Sequence, residues 1–232
     1  MKIAGRRNWL SELPGKIRQE ILDRMEVKKY QAGHFICRAG DLSDGMHQVM
    51  EGYVKLLGIQ PTGAQSLIAI YSKGDCFSET TLVCGRIHHH SALSATDTTL
   101  LFLKKEDFHE IYSMYPEVPE ILCRKFANSL SAMIDYREYK STYPIAIQVA
   151  FLFDNLSEFC SDSISSARRT IEVPITVSDI ADFLGVTRQT VQKEITILRN
   201  QKIIDKALGY WIITNPRKLS LLCSAHQRRS EY

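Results

Sequence analysis

The sequence predicts an α+β chain, and three observations carry that reading. Between Lys28 and Leu103 short apolar segments alternate with glycines. From about Glu117 to Tyr139 apolar residues recur along one narrow helical line. From Thr176 two short amphipathic stretches meet at Gly185 and lead into a strand–turn–strand pattern. The expected architecture is an N-terminal double-stranded β-helix (a β-roll or jelly roll), a long helix, and a C-terminal winged helix-turn-helix. Its expected divisions are a β-roll over 1–115, the long helix and a hinge over 116–143, and a winged-helix domain over 144–232.

Composition supports a folded chain. Of 232 residues, 44% are hydrophobic and 24% charged, which excludes disorder along the whole length. No run of about 18 apolar residues occurs, so no membrane span is expected. The basic start Met1–Arg7 is followed by no apolar core, which argues against a secretory signal and for a cytoplasmic protein. The net charge of +3 is compatible with a nucleic-acid partner without requiring one. Cys37, Cys76, Cys84, Cys123, Cys160 and Cys223 contain no C-x-x-C pair and fit neither a disulfide framework nor a zinc ribbon. They read as reduced thiols, with one redox-active pair as the alternative.

Each element has a local reason. Trp9, Leu10, Leu13, Ile17, Ile21 and Leu22 follow helical spacing up to Met25. Val54–Leu57, Leu67–Tyr71 and Leu100–Leu103 read as strands. Pro61-Thr62-Gly63 turns the chain between strands ending near Ile59 and starting near Gln65. A helix opens at Lys105–Phe108. The long helix follows, with Leu122, Phe126, Leu130, Met133 and Arg137 spaced by 4, 4, 3 and 4. So narrow a seam suits a partner helix better than a core-facing stripe, so these five are the expected dimer contacts. Pro144 disfavours helix at Tyr143, the expected hinge. Helix resumes over Ile145–Cys160, a polar loop covers Ser161–Ser166, and Glu172–Ile175 is extended.

The stretch from Thr176 to Leu198 is the most informative. Ser178 is a candidate N-cap for a helix that buries Ile180, Ala181 and Leu184, and Gly185 suits its left-handed end. Thr187 caps a second helix, with Val191, Ile195 and Leu198 facing inward. That leaves Arg188, Gln189, Gln192 and Lys193 outward. Arginine can donate two hydrogen bonds to guanine, glutamine can bond adenine, and lysine suits a phosphate or a guanine. Thr187 and Thr190 are placed for backbone phosphates. Ile203–Ile213 reads as two strands about a glycine turn, which makes the motif a winged helix.

With these residues in view, nearly the whole chain resembles the CRP/FNR transcription regulators, a bacterial family. The resemblance rests on Glu51-Gly52-Tyr53-Val54-Lys55-Leu56, on Gly74-Asp75-Cys76-Phe77-Ser78-Glu79, on the long helix and Pro-marked hinge, and on Leu184–Val191. It implies a homodimer with effector-sensing β-rolls, long helices in a coiled coil, and winged helices reading palindromic double-stranded promoter DNA. It also implies RNA polymerase as a partner. In the family the positions of Arg188, Gln189 and Lys193 read bases.

The family's cyclic-AMP branch binds ribose through a Gly-Glu pair, phosphate through Arg-Ser and adenine through Thr-Ser. Here those positions hold Ser78-Glu79, His90-Ser91 and Met133-Ile134. Histidine supplies neither a fixed charge nor a bidentate grip at neutral pH. The expected effector is therefore not cyclic AMP but a smaller or more apolar molecule between the β-roll and the long helix, with control without any small molecule as the alternative. Glu79 reads either as a ligand residue or as a carboxylate bonded to nearby backbone N–H groups. His88-His89-His90 invites a metal or haem, but an exposed loop is the plainer reading. The absence of cysteine before Cys37 argues against the iron–sulfur cluster of the oxygen-sensing branch.

Two other classes compete. A cupin-like metal-dependent enzyme would use a His-x-His motif, which 88–90 formally contains, but no partner motif follows. A cyclic-nucleotide-binding regulatory subunit of a kinase or channel would share the β-roll, but it has no use for a winged helix. The expectation is a regulator and not an enzyme.

Overall fold

The computed structural model describes residues 8–59, 63, 65–160 and 168–227. The Pro61-Thr62 turn and the Ser161–Ser166 loop lie outside them. Contacts divide the chain into two compact units within the long helix, after Met133.

The N-terminal unit begins with a short 3-10 turn, Trp9–Glu12, and α1, Gly15–Arg24. The expected single helix up to Met25 is thus broken. Pro14 has no N–H to give the preceding turn, and it holds Leu13 extended at ψ 149°. Next come β1 (Glu26–Tyr30), β2 (Phe35–Cys37), β3 (Gly45–Glu51), β4 (Val54–Ile59), β5 (Gln65–Tyr71), β6 (Cys76–Phe77), α2 (Glu79–Cys84), β7 (Ser91–Ser94) and β8 (Thr98–Lys104). Two four-stranded sheets result, ordered β1-β8-β3-β6 and β2-β7-β4-β5, with antiparallel pairing throughout. The chain passes back and forth between the sheets, as in a jelly roll. The expected hairpin is present, with Ile59 opposite Gln65.

α3 (Lys105–Met114) and α4 (Glu117–Thr142) follow. Trp9, Leu10, Ile21, Phe108 and Ile111 form one core with Val118, Ile121 and Leu122 of α4. Here the expected seam needs correction. Leu122 is buried in this core and so is not free for a second helix, whereas Phe126 is half-buried against it. At that end the helix packs on its own unit through Val118, Ile121 and Leu122, which draws that part of the line inward. Farther along, Leu130, Met133 and Ile134 are exposed at 60%, 55% and 60%, and Arg137 is exposed.

The C-terminal unit contains the end of α4, then α5 (Ile145–Phe159), β9 (Arg169–Ile171), α6 (Val177–Leu184), α7 (Arg188–Asn200), β10 (Ile204–Ala207), β11 (Tyr210–Ile213) and α8 (Pro216–Gln227). The break at Tyr143–Pro144 falls where proline placed it. Buried Gln148 donates to the carbonyls of Lys140 and Tyr143 (3.1 and 2.8 Å), satisfying acceptors that the end of α4 leaves open. The sheet order is β10-β11-β9. The extended piece expected at Glu172–Ile175 lies earlier, at Arg169–Ile171, which pairs with Ile213–Trp211. Pro174 cannot donate to a ladder, so pairing stops short of it.

Candidate functional site

The exposed face of α7 is built by its buried one. Val191, Ile195 and Leu198 are sealed inside, at spacings that turn the next residues around the helix outward. Arg188, Gln189, Gln192, Lys193, Thr196 and Ile197 line an open groove of about 650 Å³. Four of the sequence's candidates thus share one surface, and Thr196 and Ile197 extend it.

Local bonds fix where this face starts. α6 is capped by Thr176, two residues earlier than the expected Ser178. Thr176 donates its N–H to Asp179 (2.8 Å) and its Oγ1 accepts from the Asp179 N–H (3.0 Å). Ser178 has no cap role because this reciprocal pair already starts the helix around it. Gly185 then takes φ +67°, which glycine adopts without a Cβ penalty, and closes α6. Thr187 caps α7 by accepting from the Thr190 N–H at 3.2 Å, and the two hydroxyls sit 2.9 Å apart. The first turn of α7 carries no acidic residue and opens on Arg188. A cation at the positive end of a helix macrodipole does not stabilise the helix, whereas a bound anion there does.

The hairpin behind α7 is anchored from below. The Trp211 Nε1–H donates to the Ile175 carbonyl at 2.9 Å, and its ring meets Phe153 edge-on at 5.3 Å. The turn pairs Ala207 with Tyr210 across Leu208 and Gly209, both at positive φ (50° and 88°). Leu208 is 98% exposed at its tip.

The β-roll holds a second candidate, a cavity of about 280 Å³. Its lining includes Cys37, Tyr71, Phe77, Ser78, Thr80, Thr81, His88, His89 and His90. Ser78 and His90 fall here, but four residues expected beside them do not. Glu79, 2% exposed, is tied to the Lys125 ammonium of α4, which also donates to the Cys76 carbonyl (3.3 Å). The carboxylate is bound by a side chain 46 residues away, not by nearby backbone N–H groups. Ser91 is buried and accepts from the Ala39 N–H at 3.0 Å. Met133 and Ile134 are exposed rather than enclosed. Ser78 keeps φ +78°, a left-handed backbone that suits the glycine of the cyclic-AMP branch better than serine.

His88, His89 and His90 lie in an irregular stretch, His88 buried and the others exposed. Partial loss of hydration lowers the affinity of His88 and His90 for a proton, and at His90 the neighbouring His89 adds to it, so His90 is mainly neutral at pH 7. Among the described residues no three His, Cys, Asp or Glu side chains cluster as ligands for one ion. All six cysteines are free thiols. Burial pushes Cys37 up to about 11 and Cys223 to about 12, away from thiolate chemistry.

Lys125 and His47 also escape a reading of the sequence. Lys125 gives no signal, since its partner lies far away in the chain. His47 sits inside β3, stacked on Phe77 at 4.9 Å and tilted against Phe102 at 4.9 Å. Its Nδ1 has no hydrogen-bond partner, and burial drives its pKa down to about 3.

Comparison with known proteins agrees with this layout. The family model for the cyclic nucleotide-binding domain matches residues 27–115, and that for the Crp-like helix-turn-helix domain matches 150–222. The nitrogen fixation regulation protein FixK of Rhizobium meliloti is 26% identical over 199 residues, covering 85% of this chain and 87% of FixK. The structure of FixK2 from Bradyrhizobium japonicum superposes with a TM-score of 0.72 at 20% identity, over 85% of this chain and 96% of that one. A CRP/FNR-family regulator from Thermus thermophilus gives 0.69 at 23% identity, over 86% and 98%. These two likenesses show the fold. No described helix is long and apolar enough to cross a membrane. Carrying both domains in this order, the chain belongs to the CRP/FNR family of effector-responsive transcription regulators.

Proposed function

We propose that the protein binds palindromic promoter DNA as a homodimer in the cytoplasm, with α7 as the recognition helix and RNA polymerase as its partner in regulation. The observation that carries this is the outward face of α7, where Arg188, Gln189, Gln192 and Lys193 project from a rigidly capped helix start. Arg188 and Gln189 read base edges, Lys193 takes a base or a phosphate, and Thr187 and Thr190 meet the backbone. Leu130, Met133 and Ile134, with Arg137 beside them, supply the apolar surface that pairs two copies of α4. The test is a band shift on duplexes selected from a random pool, with the mass of the free protein measured in solution. A dimer that retains duplexes with two related half-sites about 34 Å apart supports the reading. A monomer with full affinity overturns it.

The effector site is the β-roll cavity, and its occupant is not cyclic AMP. Glu79 already serves Lys125, and neutral His90 stands where the phosphate-binding arginine is expected. A smaller, more apolar molecule lying against Leu56, Tyr71, Phe77 and Ala92, with Ser78, Thr80 and Thr81 as its polar contacts, suits the walls better. Calorimetry with cyclic AMP decides the point. No heat is expected, and micromolar binding that also tightens DNA affinity would refute this account of the cavity.

A further inference from the structure

The last turn of α7 borders a second groove, of about 670 Å³, whose walls include Arg168, Thr196, Arg199, Asn200, Lys202 and Asp205. Thr196 lines both grooves, so the two surfaces are continuous. We infer that this second groove is a clamp for the DNA sugar-phosphate backbone just outside the bases read by the first turns of α7. The inference rests on α7 being the base-reading helix.

Length is the first argument. Arg199 lies eleven residues after Arg188, about 17 Å along the helix axis at ~1.5 Å per residue. A major groove is only about 12 Å wide. A helix whose first turn reaches base edges therefore carries its last turn to the groove wall, where phosphates stand. Charge is the second. The two grooves together carry Arg188, Lys193, Arg168, Arg199 and Lys202 against the single carboxylate of Asp205, a net +4. The whole chain is only +3, so the residues outside this continuous face sum to −1. Availability is the third. Arg199 donates to Asp205 at 3.2 Å, but both are about half exposed, and so open a pair is held weakly enough to exchange for a phosphate. Basic residues at a helix C-terminus also complement the macrodipole, which would account for Arg199 alone. Arg168 stands just before β9, on no helix, and gains nothing from that effect.

The test uses the full-length protein and duplexes that the wild type has selected from a random pool. Each is made in two lengths, one ending at the outermost selected base and one extended by half a helical turn. Affinity is measured by fluorescence anisotropy across a salt series for Arg168→Gln, Arg199→Gln and Lys202→Asn, with Lys29→Gln on β1 as the control. Lys202 takes φ +55°, a backbone that asparagine tolerates well, so that variant removes charge without straining the fold. Each lost phosphate contact should flatten the log–log salt slope by ~0.9, roughly an eightfold affinity loss at 0.1 M salt. The loss should appear on extended duplexes, vanish on trimmed ones, and leave base preference unchanged. Unchanged slopes for all three variants, beside a wild type that binds its selected duplexes, overturn the clamp and leave the recognition helix standing. So does a loss of transcription with DNA affinity intact, which would assign the groove to a protein partner. A wild type that selects no duplex removes the base-reading helix itself.

Discussion

The face of α7 and the cavity of the β-roll are built by opposite means. On α7 a buried stripe of Val191, Ile195 and Leu198 pushes polar side chains outward, and their charged and amide ends face solvent. In the β-roll several polar groups near the cavity are taken up inside the fold. Glu79 holds Lys125, Ser91 holds the Ala39 N–H, and His47 is sealed between aromatic rings. The difference shows how each surface can change. An outward face alters its partner by substitution at single positions. An inward one alters only when several groups re-pair together.

The severest challenge to the outward face is to ask whether one copy suffices. Leu130→Asp should cost several kcal/mol when two copies of α4 meet, because each side would then hide an unpaired charge. Sedimentation should show monomers, and grip on a two-half-site duplex should fall more than a hundredfold. Unchanged affinity would mean that a single α7 face is enough.

The inward region is probed by Lys125→Met. It strands the Glu79 carboxylate in the interior, and the expected destabilisation is ~3–5 kcal/mol in urea unfolding. Glu79→Gln combined with Lys125→Met should recover most of it, since no charge is left without a partner. If the single variant is as stable as the wild type, the pair is not a structural unit and the contrast with α7 disappears.

Arg188→Ala should act on the outward face alone. About 1–3 kcal/mol of discrimination against the wrong base should vanish at one position of each half-site, with folding untouched. Binding-site selection measures this, and an unaltered logo would mean that Arg188 does not read a base.

The gentlest probe is His47→Phe. His47 has its pKa depressed to about 3 by burial, from an ordinary value near 6.5. Between those values the unfolded chain binds a proton that the folded chain refuses. Stability is therefore full above pH ~6.5 and declines as pH falls toward 3. Phenylalanine removes that dependence along with the orphaned Nδ1, and should add about 1 kcal/mol near pH 7. The check is a set of melting curves from pH 4 to 8. An equally steep acid limb in the variant would place the titrating group elsewhere.

Legibility in the sequence follows the same contrast. Strands β4, β5 and β8 of the roll, the long helix, the break at Pro144 and the two helices about Gly185 are readable, because period, proline and glycine act over a few residues. The outward residues of α7 come from that periodicity. Thr176 escapes as a cap because its value depends on Asp179 answering it across one turn. Leu122 reads as a partner contact because spacing shows which side of a helix is apolar, but not what lies against it. Glu79 is placed by likeness to the cyclic-AMP branch, and its true partner, Lys125, comes from another element. Such pairings arise when distant segments close on each other, and no local pattern announces them.

Exposed Leu130, Met133 and Ile134 also bear on abundance. If two chains must meet along α4 before either grips an operator, the active species grows with the square of chain concentration when chains are scarce. Doubling expression would then quadruple the dimers available to DNA. Dosage would shape the response before any small molecule enters the β-roll.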